Sequence, residues 1–195
     1  MMEDRPRFDV MEIPDGKSGR WEIDTLDLTE NDVFITNLRA MFKPGGRTIK
    51  PGRYKRLRRD GFVIMSNTPA EMRDFAHLRR MGQGNVLING LGLGCVVAMF
   101  LNLEAVEKLT VIEAASDVIS LVAPYFQVDK RFTVIHDDAF KYKPPKGVRY
   151  DLVWHDIWDA ICPDNLLEMA RLHRKYGRRA DYQGSWGKGL CKRFH

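Results

Sequence analysis

The sequence predicts one α/β domain built around a parallel sheet. Three observations predict it. From Asn85 onward, short apolar runs alternate with helical stretches. The first run opens into Gly90-Leu91-Gly92-Leu93-Gly94, and the later runs end at or lead into acids. Short apolar strands separated by helices describe a sheet covered on both faces, with ligands gathering at the strands' carboxyl ends. The chain has 195 residues, 44% hydrophobic and 29% charged, which is enough for one sizeable core.

The elements follow in order. Residues 1–28 are interrupted by Pro14, Gly16 and Gly19 and read as extended pieces and turns. Asn31 is the expected cap of a helix over 31–42, with Val33, Phe34, Leu38, Met41 and Phe42 as its apolar side and Pro44-Gly45-Gly46 as its stop. The runs 53–58 and 62–65 flank Asp60-Gly61 and predict a β-hairpin. Thr68-Pro69-Ala70-Glu71 predicts a helix start, with Thr68 as cap and Glu71 reaching back, and the helix ends near Gly82. Strands are expected at 86–88, 109–113, 132–136 and 150–155, and helices at 95–102, 116–125 and, capped by Asp164, 164–178. Residues 181–186 remain for a fifth strand, so the sheet is expected to be completed by the N-terminal hairpin or a second subunit. Residues 1–60 form an N-terminal extension and hairpin packed on a core of 61–195, a single domain overall.

Composition narrows the function. The polar, acid-bearing start is not expected to be a signal peptide, and the apolar run 95–101 is too short to span a bilayer. Cys95, Cys162 and Cys191 form no CxxC pair, and the five histidines show no metal-ligand spacing. A cytoplasmic protein without metal or membrane is expected. Residues 43–59 hold eight Lys or Arg and no acid, and 171–195 hold eight more opposed by Asp181 alone. These segments are either a footprint for nucleic acid or another polyanion, or two solvated faces.

The glycine loop carries the chemistry. A cofactor tail approaching the backbone where a strand turns into a helix needs residues without side chains, here Gly90, Gly92 and Gly94. Glu113 ends the second strand, where a carboxylate accepts both ribose hydroxyls. Asp138, with Ala139, follows the third strand, where an acid takes an adenine amino group. Asp156 follows the fourth, beside the reacting end of such a cofactor. A dinucleotide dehydrogenase shares the first two features, but Cys95 stands where its fingerprint has the third glycine.

In order and spacing, Gly90 to Gly94, Glu113, Asp138-Ala139 and Tyr150 to Asp156 resemble the motifs of class I S-adenosylmethionine-dependent methyltransferases. The run Val86 to Asp156 looks most like the spermidine synthase-like branch, through Val106-Glu107-Lys108-Leu109-Thr110-Val111-Ile112-Glu113 and the preceding hairpin. With Met65 to Met72 and Trp154 to Asp159, the chain is also similar to small methyltransferase-like proteins of phages and bacterial genomes. The resemblance implies a Rossmann-like, mostly parallel sheet with reduced C-terminal strands, and S-adenosylmethionine as cofactor. It implies no acceptor.

Two positions depart from the pattern. Leu93 stands where polyamine enzymes carry an acid, and Asn89 stands where methyltransferases carry an acid before the first glycine. Asn89 is expected to hydrogen-bond the cofactor ammonium through its oxygen, without charge. Asp156 is the expected general base, with His155 or Asp159 as substitutes. Trp154 and Trp158 flank the site, either stacking on an acceptor or serving as core. The function expected is methyl transfer to an unknown acceptor, with a nucleic acid or a small molecule as the candidates. The alternatives are a non-catalytic cofactor-binding or assembly protein, or an aminopropyltransferase. A homo-oligomer is a further expectation.

Overall fold

The computed structural model describes residues 6–42 and 48–193. Both the polar start and the Pro44-Gly45-Gly46 stop expected for the first helix lie outside them. The described residues form two sheets with helices packed on them. Strands β1 (Gly16–Ser18), β2 (Trp21–Leu28), β3 (Gly52–Arg59) and β4 (Phe62–Ser66) form an antiparallel sheet in that order. Strands β5 (Gly84–Asn89), β6 (Val106–Glu113), β7 (Phe132–His136), β8 (Tyr150–His155) and β9 (Ala180–Ser185) form a parallel sheet of order β7-β6-β5-β8-β9. The helices are α1 (Glu30–Met41), α2 (Pro69–Phe75), α3 (Cys95–Leu101), α4 (Ser116–Phe126), α5 (Asn165–Tyr176) and the short α6 (Lys188–Cys191). This is a Rossmann-like α/β fold, and the chain direction changes sides of the sheet between β5 and β8.

Strand alternation divides the core. Val86, Ile88, Leu109, Val111, Leu152 and Trp154 pack on one face with α3, α4 and Phe75. Leu87, Ile112 and Val153 pack on the other with Leu172 and Tyr176 of α5. Buried on both faces, these strands carry the near-continuous apolar runs that make them legible.

The N-terminal half corrects several expectations. Residues 21–28, expected as extended chain, form a strand whose partner was not foreseen: β2 pairs with β3 along its whole length, from Trp21↔Arg59 to Leu28↔Gly52. The N-terminal hairpin does not complete the parallel sheet, because it is claimed by this second sheet. Thr29, not Asn31, caps α1: Asp32 accepts from the Thr29 amide at 2.8 Å and from its hydroxyl at 2.6 Å. Val33 of α1 is buried, but Phe34, Ile35, Leu38, Met41 and Phe42 are exposed. Thr68 makes no side-chain cap bond. Glu71 instead accepts from the Ser66 amide at 2.6 Å and the Ser66 hydroxyl at 2.8 Å, clipping the end of β4 to α2. Asp164 likewise makes no side-chain cap bond to α5.

The N-terminal chain is fastened over α4. The Asn102 side chain bonds both the Phe8 amide and carbonyl at 2.8 Å, and Ser18 donates to Asp117 at 2.6 Å. Phe8 packs against Tyr125 and Phe126. Ile23 and Leu57 reach the main core. These contacts set β2, β3 and β4 as a wall beside the carboxyl ends of β5 and β6.

The basic strand β3 faces acids. Arg56 donates to Asp24 at 2.8 Å, Arg58 reaches Asp24 at 3.2 Å, and Arg53 lies 3.5 Å from Asp27. Lys55 pairs with Asp15, and Arg59 with Asp159. The register of β2 against β3 supplies this matching, since Asp24 stands opposite Arg56 and Asp27 opposite Arg53.

Candidate active site

One cavity of about 680 Å³ lies at the carboxyl edge of the parallel sheet. Its floor is Gly90, Leu91 and Gly92, and its walls include Glu113, Asp138, Ala139 and Asp156. Such an edge position follows from topology: β5 and β8 diverge there into loops on opposite sides.

The loop after β5 needs Gly90 for packing as well as for access. Gly90 has φ +100°, and a Cβ there would lie 2.0 Å from the Asp156 carbonyl oxygen. Gly92, at φ +52°, lines the cavity, and its Cβ would come 2.8 Å from the flexible Met65 sulfur. Gly94 turns away from the cavity toward the Phe126 ring, so its role is to let α3 pack on α4.

Glu113 is held by the backbone. Its Oε2 accepts from the Leu91 amide at 2.7 Å and its Oε1 from the Ala115 amide at 2.8 Å. Each carboxylate oxygen keeps a second lone pair for a hydroxyl donor. Asp138 accepts from the Phe140 amide at 2.7 Å through Oδ1, which sets the turn after β7. Its Oδ2 lies 4.0 Å from the exposed Lys141 ammonium. Ala139 is buried, and its carbonyl accepts from Lys175 of α5 at 2.8 Å.

Asp156 lines the cavity where β8 ends beside the glycine loop. Its amide donates to the Asn89 carbonyl at 2.8 Å. Burial pushes its carboxyl up to about 7, opposed by the neighbouring Trp154 N–H and reinforced by the Asp74 and Glu71 carboxylates. An acid poised near neutrality in a cleft suits proton transfer.

Asn89 is not part of the cavity. It stands opposite His155 in the β5–β8 register, and both side chains are fully buried on the α5 side. The Asn89 amide group donates to His155 Nδ1 at 2.8 Å. The expected contact of Asn89 with a cofactor ammonium is therefore corrected: alternation sends Asn89 to the same face as Leu87. His155 faces away from Asp156, and burial lowers its pKa to about 3, so it is neutral and no substitute base.

Trp154 is core, its ring beside His77. Trp158 lines the cavity and donates to Glu168 of α5 at 2.7 Å. Asp159 also lines it, paired to Arg59, whose guanidinium sits 5.2 Å from the Trp21 ring centre. Trp21, Met65, Glu71, Phe75 and Trp186 complete the site without having been singled out for it from the sequence. They arrive from β2, β4, α2 and the loop after β9, and no local motif marks Trp21, Phe75 or Trp186. Cys95 is buried beneath the loop, and burial pushes its thiol far above the ordinary range, so it is inert. Among the described residues no group of His, Cys, Asp and Glu is gathered to hold a metal ion, and no helix is long and apolar enough to cross a membrane.

No family model matches the chain. It is similar to a polyamine aminopropyltransferase of Clostridium beijerinckii, at 31% identity over 85 residues. That match covers 40% of this chain and 30% of the relative's length. Among solved structures it is similar to the N-methyltransferase NodS of Bradyrhizobium japonicum with S-adenosyl-L-homocysteine, with TM-score 0.49 and 15% identity over 65% of this chain and 67% of that one. It is similar also to the CcbJ methyltransferase of Streptomyces caelestis, with TM-score 0.45 and 16% identity over 58% and 46% of the two chains.

Proposed function

We propose that this chain binds S-adenosylmethionine along the carboxyl ends of β5, β6 and β7 and transfers its methyl group to an acceptor in the adjoining half of the cavity. The observation that carries the reading is the convergence of Glu113, Asp138 and Asp156 on one cavity floored by Gly90 and Gly92. The residues fit the cofactor. Glu113, fixed by two amides, has oxygens ready to accept from a ribose diol. Asp138 can accept from an exocyclic amino group, and Ala139, Phe140 and Val118 offer an apolar slot for a flat base.

When bound, the cofactor supplies a methyl group already activated on a sulfonium. The chain's task is then to hold a nucleophile in line and to take its proton. Asp156 is the acceptor of that proton, and its raised pKa keeps the transfer balanced near neutral pH. Trp21, Phe75, Trp158 and Trp186 make the acceptor half aromatic. Calorimetry with S-adenosylmethionine and S-adenosylhomocysteine tests the reading. Saturable binding lost in Asp138→Ala supports it, and no binding of either form at millimolar concentration sinks it. Binding without methyl transfer to any nucleic-acid, protein or metabolite pool would favour a non-catalytic binder.

A second reading is aminopropyl transfer within the spermidine synthase-like branch. It draws on the 85-residue likeness and on the β3–β4 hairpin before α2. Against it stands Leu93, fully buried where the polyamine enzymes carry an acid. Decarboxylated S-adenosylmethionine, offered beside the intact cofactor, discriminates: preference for it would overturn methyl transfer.

A further inference from the structure

A second cavity of about 600 Å³ opens on the outer side of β9, between α5 and α6. It is lined by His77, His173, Ser185, Lys188, Lys192 and Arg193, with Asp74 at its margin. We propose that this cavity is a separate binding site for a phosphate-type oxyanion. The proposal does not rest on the methyl-transfer reading.

Three observations carry it. The first is charge. Among its described lining residues, three cations share the cavity with one carboxylate, Asp74, which accepts from Trp186 Nε1 at 3.1 Å. The basic strand β3 is different, because the acids of β2 lie along it. Lys188, Lys192 and Arg193 come from the second basic segment, whose other members include Lys175 and Arg179, both bound to backbone carbonyls elsewhere.

The second is a buried donor with a fixed direction. Lys188 Nζ is 3.3 Å from His173 Nδ1, and an ammonium can only donate, so Nδ1 is the acceptor. The neutral ring then carries its proton on Nε2, which donates to Ser185 Oγ at 2.9 Å. Ser185 is 7% exposed and lines the cavity. With its oxygen already accepting from His173, its hydroxyl hydrogen is the free donor.

The third is the crowding of like charge in a partly buried place. The Lys188 ammonium has its pKa lowered by burial and by Lys192, and His173 has its pKa lowered by burial and by Lys188. An oxyanion seated among them offsets both effects. Its several oxygens match a hydroxyl, two ammoniums and a guanidinium, and charge-assisted bonds of this kind are the strong ones.

The test uses the whole protein, with inorganic phosphate as probe and chloride at matched ionic strength as control. Melting temperature and calorimetric binding are the readouts. Phosphate should bind saturably and raise the melting temperature where chloride does not. Lys188→Met and Lys192→Met should each weaken phosphate binding by about tenfold, and Ser185→Ala by a smaller factor. Asp138→Ala, in the other cavity, should leave phosphate binding unchanged. The two lysines are partly or fully exposed, so at least one variant keeps the fold. A phosphate effect no greater than that of chloride overturns the proposal. So does phosphate binding that survives both lysine substitutions or disappears in Asp138→Ala. An oligonucleotide that binds through the same lysines far more tightly than phosphate, with a steep salt slope, would replace the small oxyanion with a nucleic acid.

Discussion

Asn89 and His155, neighbours across β5 and β8, are joined by a 2.8 Å hydrogen bond in which the amide donates to Nδ1, and both side chains are fully buried. The pair turns the residue just before the glycine loop into a structural element facing α5. Asn89→Asp would bury a carboxylate and keep the contact only by shifting the His155 proton to Nδ1. It should cost about 1–3 kcal/mol of stability and leave cofactor affinity unchanged. Melting and calorimetry check this; an Asp variant that melts like wild type and binds S-adenosylmethionine more tightly would show that Asn89 faces the cofactor.

Asp156 links stability to pH with a definite sign. Its folded pKa, about 7, lies above the ordinary 3.8. The stability it contributes is therefore full below about pH 4 and is lost as pH rises through 7. Asp156→Asn removes that dependence, so the variant should melt higher than wild type at pH 8 and show little advantage at pH 4. His155 acts oppositely. Its folded pKa, about 3, lies below 6.5, so its contribution is present above pH 6.5 and falls away as the solution is acidified. Equal melting differences between wild type and Asp156→Asn at both pH values would show that Asp156 is solvated.

Turnover should follow the same carboxylate. With an acceptor in hand, kcat/KM should rise with pH through an apparent pKa near 7. In Asp156→Asn that limb should vanish and turnover drop by a factor on the order of 10²–10⁴, with cofactor affinity little changed. Affinity and turnover falling together would make Asp156 an anchor for the cofactor's ammonium.

The two cavity-lining glycines should fail differently. Gly90→Ala drives a Cβ into the Asp156 backbone and should lower the melting temperature sharply. Gly92→Ala adds the strain of a left-handed φ of +52° and a contact with the Met65 sulfur at the end of a flexible side chain, so it should lower the melting temperature less than Gly90→Ala while cofactor binding weakens. Gly92→Val should abolish binding by filling the floor. Near-native binding in Gly92→Val would remove the loop from the cofactor's path.

The basic strand should behave as a structural element. Arg56→Ser breaks a two-pronged pair with Asp24 that is mostly shielded from water, so it should cost about 1 kcal/mol. Arg58→Ser loses a longer contact with Asp24 together with two bonds to the Gly61 carbonyl, and should cost a comparable amount. Thermal melts at low and high salt measure both. A variant as stable as wild type, but with weakened nucleic-acid binding, would give strand β3 a polyanion partner.

Much of the parallel sheet was legible because each strand is buried on both faces and must be apolar throughout. Val86-Leu87-Ile88 and Leu152-Val153-Trp154 announce themselves for that reason. Strand β2 did not. Only Ile23 of its eight residues is buried, and its extended form comes from pairing with β3, distant in sequence. The face of Asn89 was readable from alternation with Leu87, but its position beside the glycines pointed the other way.

The sequence by itself determined the strand–helix alternation, the glycine loop and the placing of Glu113, Asp138 and Asp156 after successive strands. Each depends on local pattern: the two-residue period of a strand, the backbone freedom of glycine, and acids following apolar runs. Tertiary structure alone decided what closes the cavity and what its charges meet. Trp21 and Arg59 reach Asp156's cavity only because the N-terminal sheet is fastened over α4, and the arginines of β3 are matched only because β2 stands beside them in register. Contacts between residues so far apart in the chain depend on packing two sheets together, and no local pattern encodes that packing.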